Sequence, residues 1–194
     1  MPRDSRTIVE FSVLYRETFS LEFLYKSIRD WLINEGYVTD GGGSNGDRWM
    51  ESLMVERTSG SGAKDYWIWW RTGKQVNPYF KWLLNIDYHT LGLLTTEMMH
   101  EGTKIKVNKG EVEVFIKATL IVDPDELWDK HFLLKNKQFQ KMYKTRFYKR
   151  EIEEQETLLY KDAYRLQGAI KQFLELKGWL HEYSGEAFHP MKGA

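Results

Sequence analysis

The chain contains no cysteine, and only 4 of its 194 residues are proline. Without cysteine, the protein can have no disulfide framework, no thiolate metal site and no cysteine nucleophile. Proline is too scarce for a repetitive or linker-like chain. Because proteins of reducing compartments keep few or no disulfides, we expect a cytoplasmic location.

Long hydrophobic runs are also missing. Residues 1–15 contain no apolar segment followed by a cleavage site, and the longest aromatic run, residues 66–70, is far too short to cross a bilayer. We therefore expect neither a signal peptide nor a transmembrane segment. What remains is a composition typical of a globular domain, with 42% hydrophobic, 15% aromatic and 29% charged residues.

The first third of the chain predicts a strand followed by a helix. Residues 7–16 alternate between apolar and polar side chains, which is the period of a half-buried strand. Ser20 is a suitable N-cap residue, apolar residues then recur at helical spacing, and Gly36 is a typical residue for ending the helix. This amphipathic helix needs a partner surface, and the sheet would supply it.

The middle of the chain predicts an antiparallel meander. After the glycine-rich loop of residues 39–48, strands are expected at residues 49–58, 65–72 (closed by Gly73), 80–89, 104–107 and 112–122. In the third of these, Phe80 and Trp82 should face the core while Lys81 and Asp87 should not. The hairpin connections are expected at residues 101–102 and at Asn108-Lys109-Gly110.

The last part of the chain predicts helix. Asp123 and Pro124 have the pattern of an N-cap and a first helical residue, and residues 132–177 contain no proline and one glycine, Gly168. A single apolar stripe follows the helical period in the second half of this stretch: Ile152, Leu159, Ala163, Leu166, Ile170 and Phe173. The pattern leaves open whether one helix or two are present, with a break near Arg150.

Together these elements predict one α+β domain over residues 1–178. It would comprise a sheet region (6–123), with a strand, a helix and a meander of five to six strands, and a C-terminal helical region (124–178); residues 179–194 would be a loose tail. This order resembles the helix-grip arrangement of START and Bet v 1-like domains, from which it differs by having one helix after the first strand. The resemblance implies a hydrophobic cavity between sheet and C-terminal helix.

Two patterns that often carry chemistry have simpler interpretations here. Gly41, Gly43 and Gly46 match the spacing of a dinucleotide-binding loop, but the loop precedes a strand, so no helix N-terminus faces a phosphate. Asp87 and His89 share one strand face with Asn85, which would suit a metal site or a proton transfer but is also typical of a solvated sheet face. We predict no cofactor, no metal and no catalytic residue, and regard an enzyme as the less favoured class.

The basic segment, defined as residues 130–150, is the strongest charge anomaly. It holds eight basic residues and no acidic one, although the whole chain balances at zero with 28 of each sign. Aromatic residues interleave with the basic ones. Such a helix can bind a nucleic acid, an anionic membrane surface or an acidic protein, or it can be a solvated face paired with Glu151, Glu153, Glu154 and Glu156.

The sequence thus supports three functional hypotheses. The leading one is a non-enzymatic binding or assembly module, possibly self-associating, whose binding surface comprises Lys135, Lys137, Lys141, Lys144, Arg146, Lys149 and Arg150. The second is a helix-grip carrier of an apolar ligand with a cavity lined by Trp67, Trp69 and Trp82, since residues 67–70 are apolar on both faces of their strand. The third is an enzyme or metal site at Asp87 and His89.

Overall fold

The computed structural model describes residues 4–39, 50–100, 103–130, 132 and 136–174. The elements are β1 (Ser5–Tyr15), β2 (Thr18–Phe19), α1 (Leu21–Asn34), β3 (Val38–Thr39), β4 (Glu51–Thr58), β5 (Lys64–Asn77), β6 (Phe80–His100), β7 (Thr103–Val122), α2 (Leu127–Lys130), α3 (Lys137–Arg146) and α4 (Lys149–Phe173). This order confirms the predicted α+β class, with an antiparallel sheet and a long C-terminal helix. The predicted loop glycines, the turn at residues 101–102 and the tail 179–194 lie outside the described residues.

A long hairpin of β6 and β7 forms the centre of the sheet. The two strands pair from Phe80 opposite Val122 to His100 opposite Thr103. β5 extends the sheet beyond β6 and pairs in turn with β3 and β4, while β1 and β2 pair with the other side of β7. Every pairing is antiparallel, as expected for strands joined by successive hairpins.

The two faces of the sheet have different surroundings. On the inner face, which α1 and α4 cover, alternate residues of β6 and β7 are buried and form one cluster with the apolar stripes of both helices. Phe80 and Trp82 belong to this face, whereas Lys81 and Asp87 are only half-buried, so the predicted phase of β6 is confirmed. Tyr37 adds a polar tie between the layers, since its hydroxyl donates to Asp162 of α4 at 3.2 Å.

Helix α1 begins where the sequence predicts. The Ser20 side chain accepts a hydrogen bond from the Phe23 backbone N–H at 3.4 Å, and Gly36 follows the helix with φ +79°. A second cap comes from β7, because Asn108 Oδ1 accepts from the Leu21 backbone N–H at 3.2 Å. The start of α1 is therefore set both by its own sequence and by the sheet.

The predicted hairpin connection at Asn108-Lys109-Gly110 is wrong, because β7 continues through these residues. The pairing with β6 shifts register between Leu91 and Leu94, opposite this tripeptide. Gly110 lies so close to β6 that a Cβ would be 2.9 Å from the Leu91 carbonyl oxygen. The glycine therefore marks an irregularity within one long hairpin and not the end of a short strand. β5 and β6 also run further than predicted, to Asn77 and His100.

Asp123 caps a helix, but not in the predicted way. Its carboxylate accepts from the backbone N–H groups of Leu127 (2.7 Å) and Trp128 (3.0 Å), and α2 begins at Leu127 rather than at Pro124. Asp123 and Glu126 both have positive φ, of 57° and 53°. Pro124 therefore lies in a turn between these two residues, and the cap reaches over it.

The C-terminal helical stretch divides into two helices, α3 and α4, at Phe147 and Tyr148. The backbone N–H groups of both residues donate to the Tyr143 carbonyl at 3.0 Å, which closes the last turn of α3. Neither proline nor glycine causes this break. Tyr148 instead packs against Phe80 of the sheet with ring centroids 5.6 Å apart, so tertiary aromatic packing favours the break. The predicted stripe of α4 is buried from Ile152 to Ile170.

The inner face makes Trp82 a test of the core. Trp82 is 6% exposed, and Lys74 Nζ lies 5.4 Å above its ring. Truncating a buried Trp removes apolar burial and leaves a cavity, so Trp82→Ala should lower the free energy of unfolding by about 3–5 kcal/mol in urea denaturation. Lys81→Ala, on the neighbouring half-buried position, is the control and should cost much less. Equal losses would contradict the assignment of Trp82 to the core face.

Two glycines should respond in opposite directions to alanine. At Gly168, within α4, a Cβ would meet no atom within 4 Å, so Gly168→Ala should raise the free energy of unfolding by about 1 kcal/mol through helix propensity. At Gly110 a Cβ would lie 2.8 Å from Leu93 Cδ2 as well as close to the Leu91 carbonyl, so Gly110→Ala should lower it. Urea denaturation of both variants measures the two shifts, and a stabilising Gly110→Ala would refute the close approach of the strands.

Candidate functional site

The basic segment spans the end of α2, the whole of α3 and the start of α4. Lys135 and the side chain of Lys137, both predicted to belong to the binding surface, lie outside the described residues. The other five predicted residues fall into two groups. Lys144 and Lys149 contact acidic side chains of the domain, whereas Lys141, Arg146 and Arg150 point to solvent.

An aromatic cluster fixes α3 at one end of the sheet. Trp128 of α2 is 4% exposed and lies 5.8 Å from Tyr79, 6.2 Å from Tyr143 and 5.4 Å from Tyr148, measured between ring centroids. Tyr143 and Tyr148 stack on each other at 5.8 Å. Burial raises the pKa of the Tyr148 hydroxyl, with Glu151 as a second cause, so this ring stays neutral at physiological pH. The cluster holds one side of α3 and leaves the other side to solvent.

Lys144 is a structural contact of α3. Its ammonium lies 2.7 Å from Asp4 Oδ2, and it also lies 4.8 Å from the centre of the Trp128 ring. The Lys144 side chain is only 18% exposed. Lys144 therefore neutralises an acidic residue of the domain and forms a cation–π contact with Trp128. This contact fits the hypothesis that basic residues of the segment pair with acidic residues of the same domain. No sequence signal identifies this pair, because Asp4 precedes Lys144 by 140 residues.

Lys149 has a weaker partner at the start of α4. Its ammonium lies 3.4 Å from Glu153 Oε1 in the predicted i, i+4 arrangement, but its side chain is 66% exposed. Ion pairs at such exposed positions contribute about 0–1 kcal/mol. Lys149 and Lys144 also line a surface cleft of about 310 Å³ together with Arg6, which pairs with Glu156 at 2.9 Å. Since its basic residues are paired with acids, the cleft is not an evident anion site.

The exposed basic set, Lys141, Arg146 and Arg150, has a different environment. All three residues are exposed, and none of them forms an ion pair with another residue of the described chain. Lys141 and Arg146 lie on α3, and Arg150 lies in the first turn of α4. Among the described residues these three charges are therefore exposed and without an ion pair, while Lys144 pairs with Asp4.

Exposed phenylalanines accompany this set. Phe132 is 91% exposed, Phe147 is 69% exposed and Phe139 is 58% exposed, which are the three highest values among the large apolar side chains of the described residues. Met142 adds a fourth apolar side chain at 42%. Isolated exposed apolar residues are ordinary, but four of them within one basic segment form a concentrated feature.

The geometry of α3 places these residues on one side of the helix. Phe139, Met142 and Arg146 follow at i, i+3 and i+7, so they share one face. Lys141 and Thr145 are also exposed and lie around the helix on the side of Met142 that is away from Phe139. Lys144 lies on the opposite side, over the Trp128 ring, whereas Tyr143 lies next to Phe139, four residues apart, and packs in the aromatic cluster. The exposed side of α3 is consequently a mixed apolar and basic surface.

The three tryptophans predicted to line a cavity do not share a face. Trp67 pairs with His89 and Trp69 with Asp87, on the outer face of the sheet, away from α4, and Trp69 is 40% exposed. Trp82 lies on the inner face. The set Trp67, Trp69 and Trp82 therefore cannot line one cavity between sheet and helix, because alternate strand positions point to opposite sides. The predicted residues therefore do not define a cavity for the carrier hypothesis.

Asp87 and His89 lie on the outer face, as predicted, but they do not contact each other. Asp87 forms an ion pair with Arg71, and the His89 ring stacks on Trp67 with centroids 5.1 Å apart. His89 Nε2 is buried without a hydrogen-bond partner among the described residues. In the part of the chain that the structure describes, no three His, Asp or Glu side chains are grouped to hold a metal ion. The predicted shared face is therefore confirmed, and the enzyme or metal hypothesis for Asp87 and His89 stays a prediction.

Comparison of the chain with protein-family models, with curated proteins and with solved structures finds no significant match. Among the described helices, none combines the length and the apolar character needed to cross a membrane.

The two groups of basic residues should differ in their effect on stability. Lys144→Ala removes the pair with Asp4 and the contact with Trp128, so it should lower the free energy of unfolding by about 1–2 kcal/mol. Arg146→Ala removes an exposed charge and should change it by less than about 0.5 kcal/mol. Urea denaturation of both variants tests the difference. If Arg146→Ala is the more destabilising change, the division of the segment into inward and exposed charges is wrong.

Proposed function

We propose that the protein is a binding module that docks on an anionic partner through the exposed side of α3 and the start of α4. The observation that carries this proposal is the coincidence of Phe132, Phe139 and Phe147, the most exposed phenylalanines among the described residues, with the exposed basic set in a segment that lacks any acidic residue. Neither group of side chains is used by the core or by internal ion pairs of the described chain.

Neither core burial nor ion pairing within the described chain accounts for the positions of these residues. Exposed charges contribute little to folding, and an exposed phenylalanine forgoes the gain that its burial would bring. Lys144, by contrast, forms an ion pair with Asp4 and lies over the Trp128 ring. A partner that is both negatively charged and able to cover apolar side chains would use every exposed residue of the surface.

Several partners share the required chemistry. Phosphates of a nucleic acid, headgroups of an anionic membrane and carboxylates of an acidic protein would each attract Lys141, Arg146 and Arg150. The attraction acts locally, because the chain as a whole has no net charge. We expect binding to weaken with added salt, as exposed charges are screened over about 8–10 Å at ordinary ionic strength.

A charge reversal tests the proposal. The variant Lys141→Glu/Arg146→Glu/Arg150→Glu should keep the parental melting temperature within a few degrees, since all three residues are exposed, and should lose binding to whichever of heparin, RNA or anionic vesicles the parent binds. The matched control reverses three exposed lysines elsewhere on the domain, Lys106→Glu/Lys109→Glu/Lys161→Glu. The control has the same net charge as the test variant, so a difference between the two reports the position of the replaced residues and not the net charge.

The outcomes separate clearly in a pull-down at near-physiological salt. Binding by the parent and the control but not by the reversed variant supports the proposal. A parent protein that binds none of the three polyanions would overturn the polyanion form of the proposal. Equal losses in the reversed variant and the control would show that net charge, and not the surface of α3, determines the interaction.

A further inference from the structure

We infer that the anionic partner is a membrane surface, and that phenylalanines beside α3 insert into it while the exposed basic set contacts its headgroups. This inference rests on the proposed function and names the partner. Phe132, Phe139 and Phe147 would insert into the apolar part of the bilayer. The exposed basic set would attract the anionic headgroups.

The degree of exposure favours a bilayer over a shaped partner. Phe132 is 91% exposed, and Phe147 is 69% exposed although its ring stacks on Tyr143 with centroids 6.0 Å apart, so the described residues enclose neither ring. Single strands of nucleic acid bind in grooves in which aromatic platforms alternate with basic walls. A protein groove likewise requires complementary shape. A lipid surface requires no preformed pocket, because its acyl chains adapt to any protruding apolar side chain.

The pattern along α3 is that of an interfacial helix. Such helices combine low overall hydrophobicity with Phe, Trp or Leu on one side and Lys or Arg at its borders. On α3, Phe139 and Met142 are exposed, Arg146 lies between them around the helix, and Lys141 lies beyond Met142. Long basic side chains can reach headgroups while their alkyl stems lie along the apolar boundary. The ten residues of α3 are far too few to span a bilayer, so the helix would lie along the surface.

The attachment of α3 to the domain suits this use. Tyr143 and Lys144 hold the inner side of the helix through Trp128, Tyr148 and Asp4. The helix is therefore already formed and oriented before any encounter, and docking costs little ordering entropy. Phe147 extends the apolar surface past the end of α3, at the corner where the chain turns into α4.

Acidic residues limit how the domain can approach the membrane. Glu151, Glu153 and Glu154 follow the exposed basic set on α4, and all three are exposed. They would be repelled by anionic lipid if α4 lay flat on the same surface. The break at Phe147 and Tyr148 separates α4 from α3. We expect α3 to lie against the membrane with the acidic turn of α4 directed away from it.

The experiment compares vesicles that differ only in charge. Full-length protein is co-sedimented with vesicles of phosphatidylcholine and with vesicles of an equimolar mixture of phosphatidylcholine and phosphatidylserine. The test variant is Phe139→Ala/Phe147→Ala, and the control is Phe23→Ala/Phe115→Ala, in which the two replaced side chains are 53% and 42% exposed elsewhere on the domain. Heparin binding of all proteins is measured in parallel, because heparin has charge but no apolar interior.

The expected result is binding of the parent and the control to the anionic vesicles. The test variant should bind these vesicles roughly tenfold more weakly for each phenylalanine removed, which corresponds to the gain from burying one such side chain. Its affinity for heparin should stay at the parental value, since its charges are unchanged. The charge-reversed variant should lose both interactions.

Three results would overturn the membrane assignment while leaving the proposed function distinguishable. Binding to heparin or RNA without binding to anionic vesicles would indicate a nucleic acid or an acidic protein as the partner. Vesicle binding that is the same for the parent and the phenylalanine variant would show an electrostatic contact without insertion. Equal binding to uncharged and anionic vesicles would remove the role of the basic set. A parent that binds no polyanion at all would overturn the polyanion form of the proposed function together with the membrane assignment.

Discussion

The alternation of side chains along the β6–β7 hairpin is the constraint on which the other elements depend. Because neighbouring residues point to opposite faces, one set of positions on two long strands makes a continuous apolar surface. Helices α1 and α4 can bury their stripes only on that surface. The strands at both edges then take their register from β5 and β7, so the arrangement of the whole sheet follows from the central hairpin.

The same core determines how the surface helix is presented. Phe80 begins β6 on the inner face and stacks on Tyr148, which in turn packs against Tyr143 of α3. The position of α3 is thus connected to the sheet through three aromatic rings and not through a covalent turn motif. The consequence is a helix that is firmly held on one side and carries a mixed apolar and basic surface on the other.

Much of the fold could be predicted from the sequence where a pattern is long and local. The phase of β6 follows from ten alternating residues, the start of α1 from Ser20, and the stripe of α4 from a repeat of apolar residues. The misinterpretations arise where tertiary contacts override a local signal. Gly110 resembles a turn residue but accommodates a close approach of two strands, and the break at Tyr148 has no local signal because ring packing produces it.

The candidate site could be predicted only in outline. The excess of basic residues in the segment 130–150 is visible in the sequence, but the sequence does not reveal which of them face the domain. Lys144 and Arg146 cannot be distinguished by the sequence pattern. In the structure, Lys144 pairs with Asp4, whereas Arg146 is exposed. The outward position of Trp67 and Trp69 depends on register, and a strand with apolar residues on both faces does not indicate which face is covered.

The contact between Asp4 and Lys144 has an evolutionary consequence. The two side chains form an ion pair across the junction of β1 and α3. A substitution at either position therefore alters how much a substitution at the other changes the free energy of unfolding. Exchanging the charges together should be tolerated better than changing one alone. Related chains that preserve this architecture should therefore show correlated identities at these two positions, and the correlation would mark the junction even where the rest of the surface has diverged.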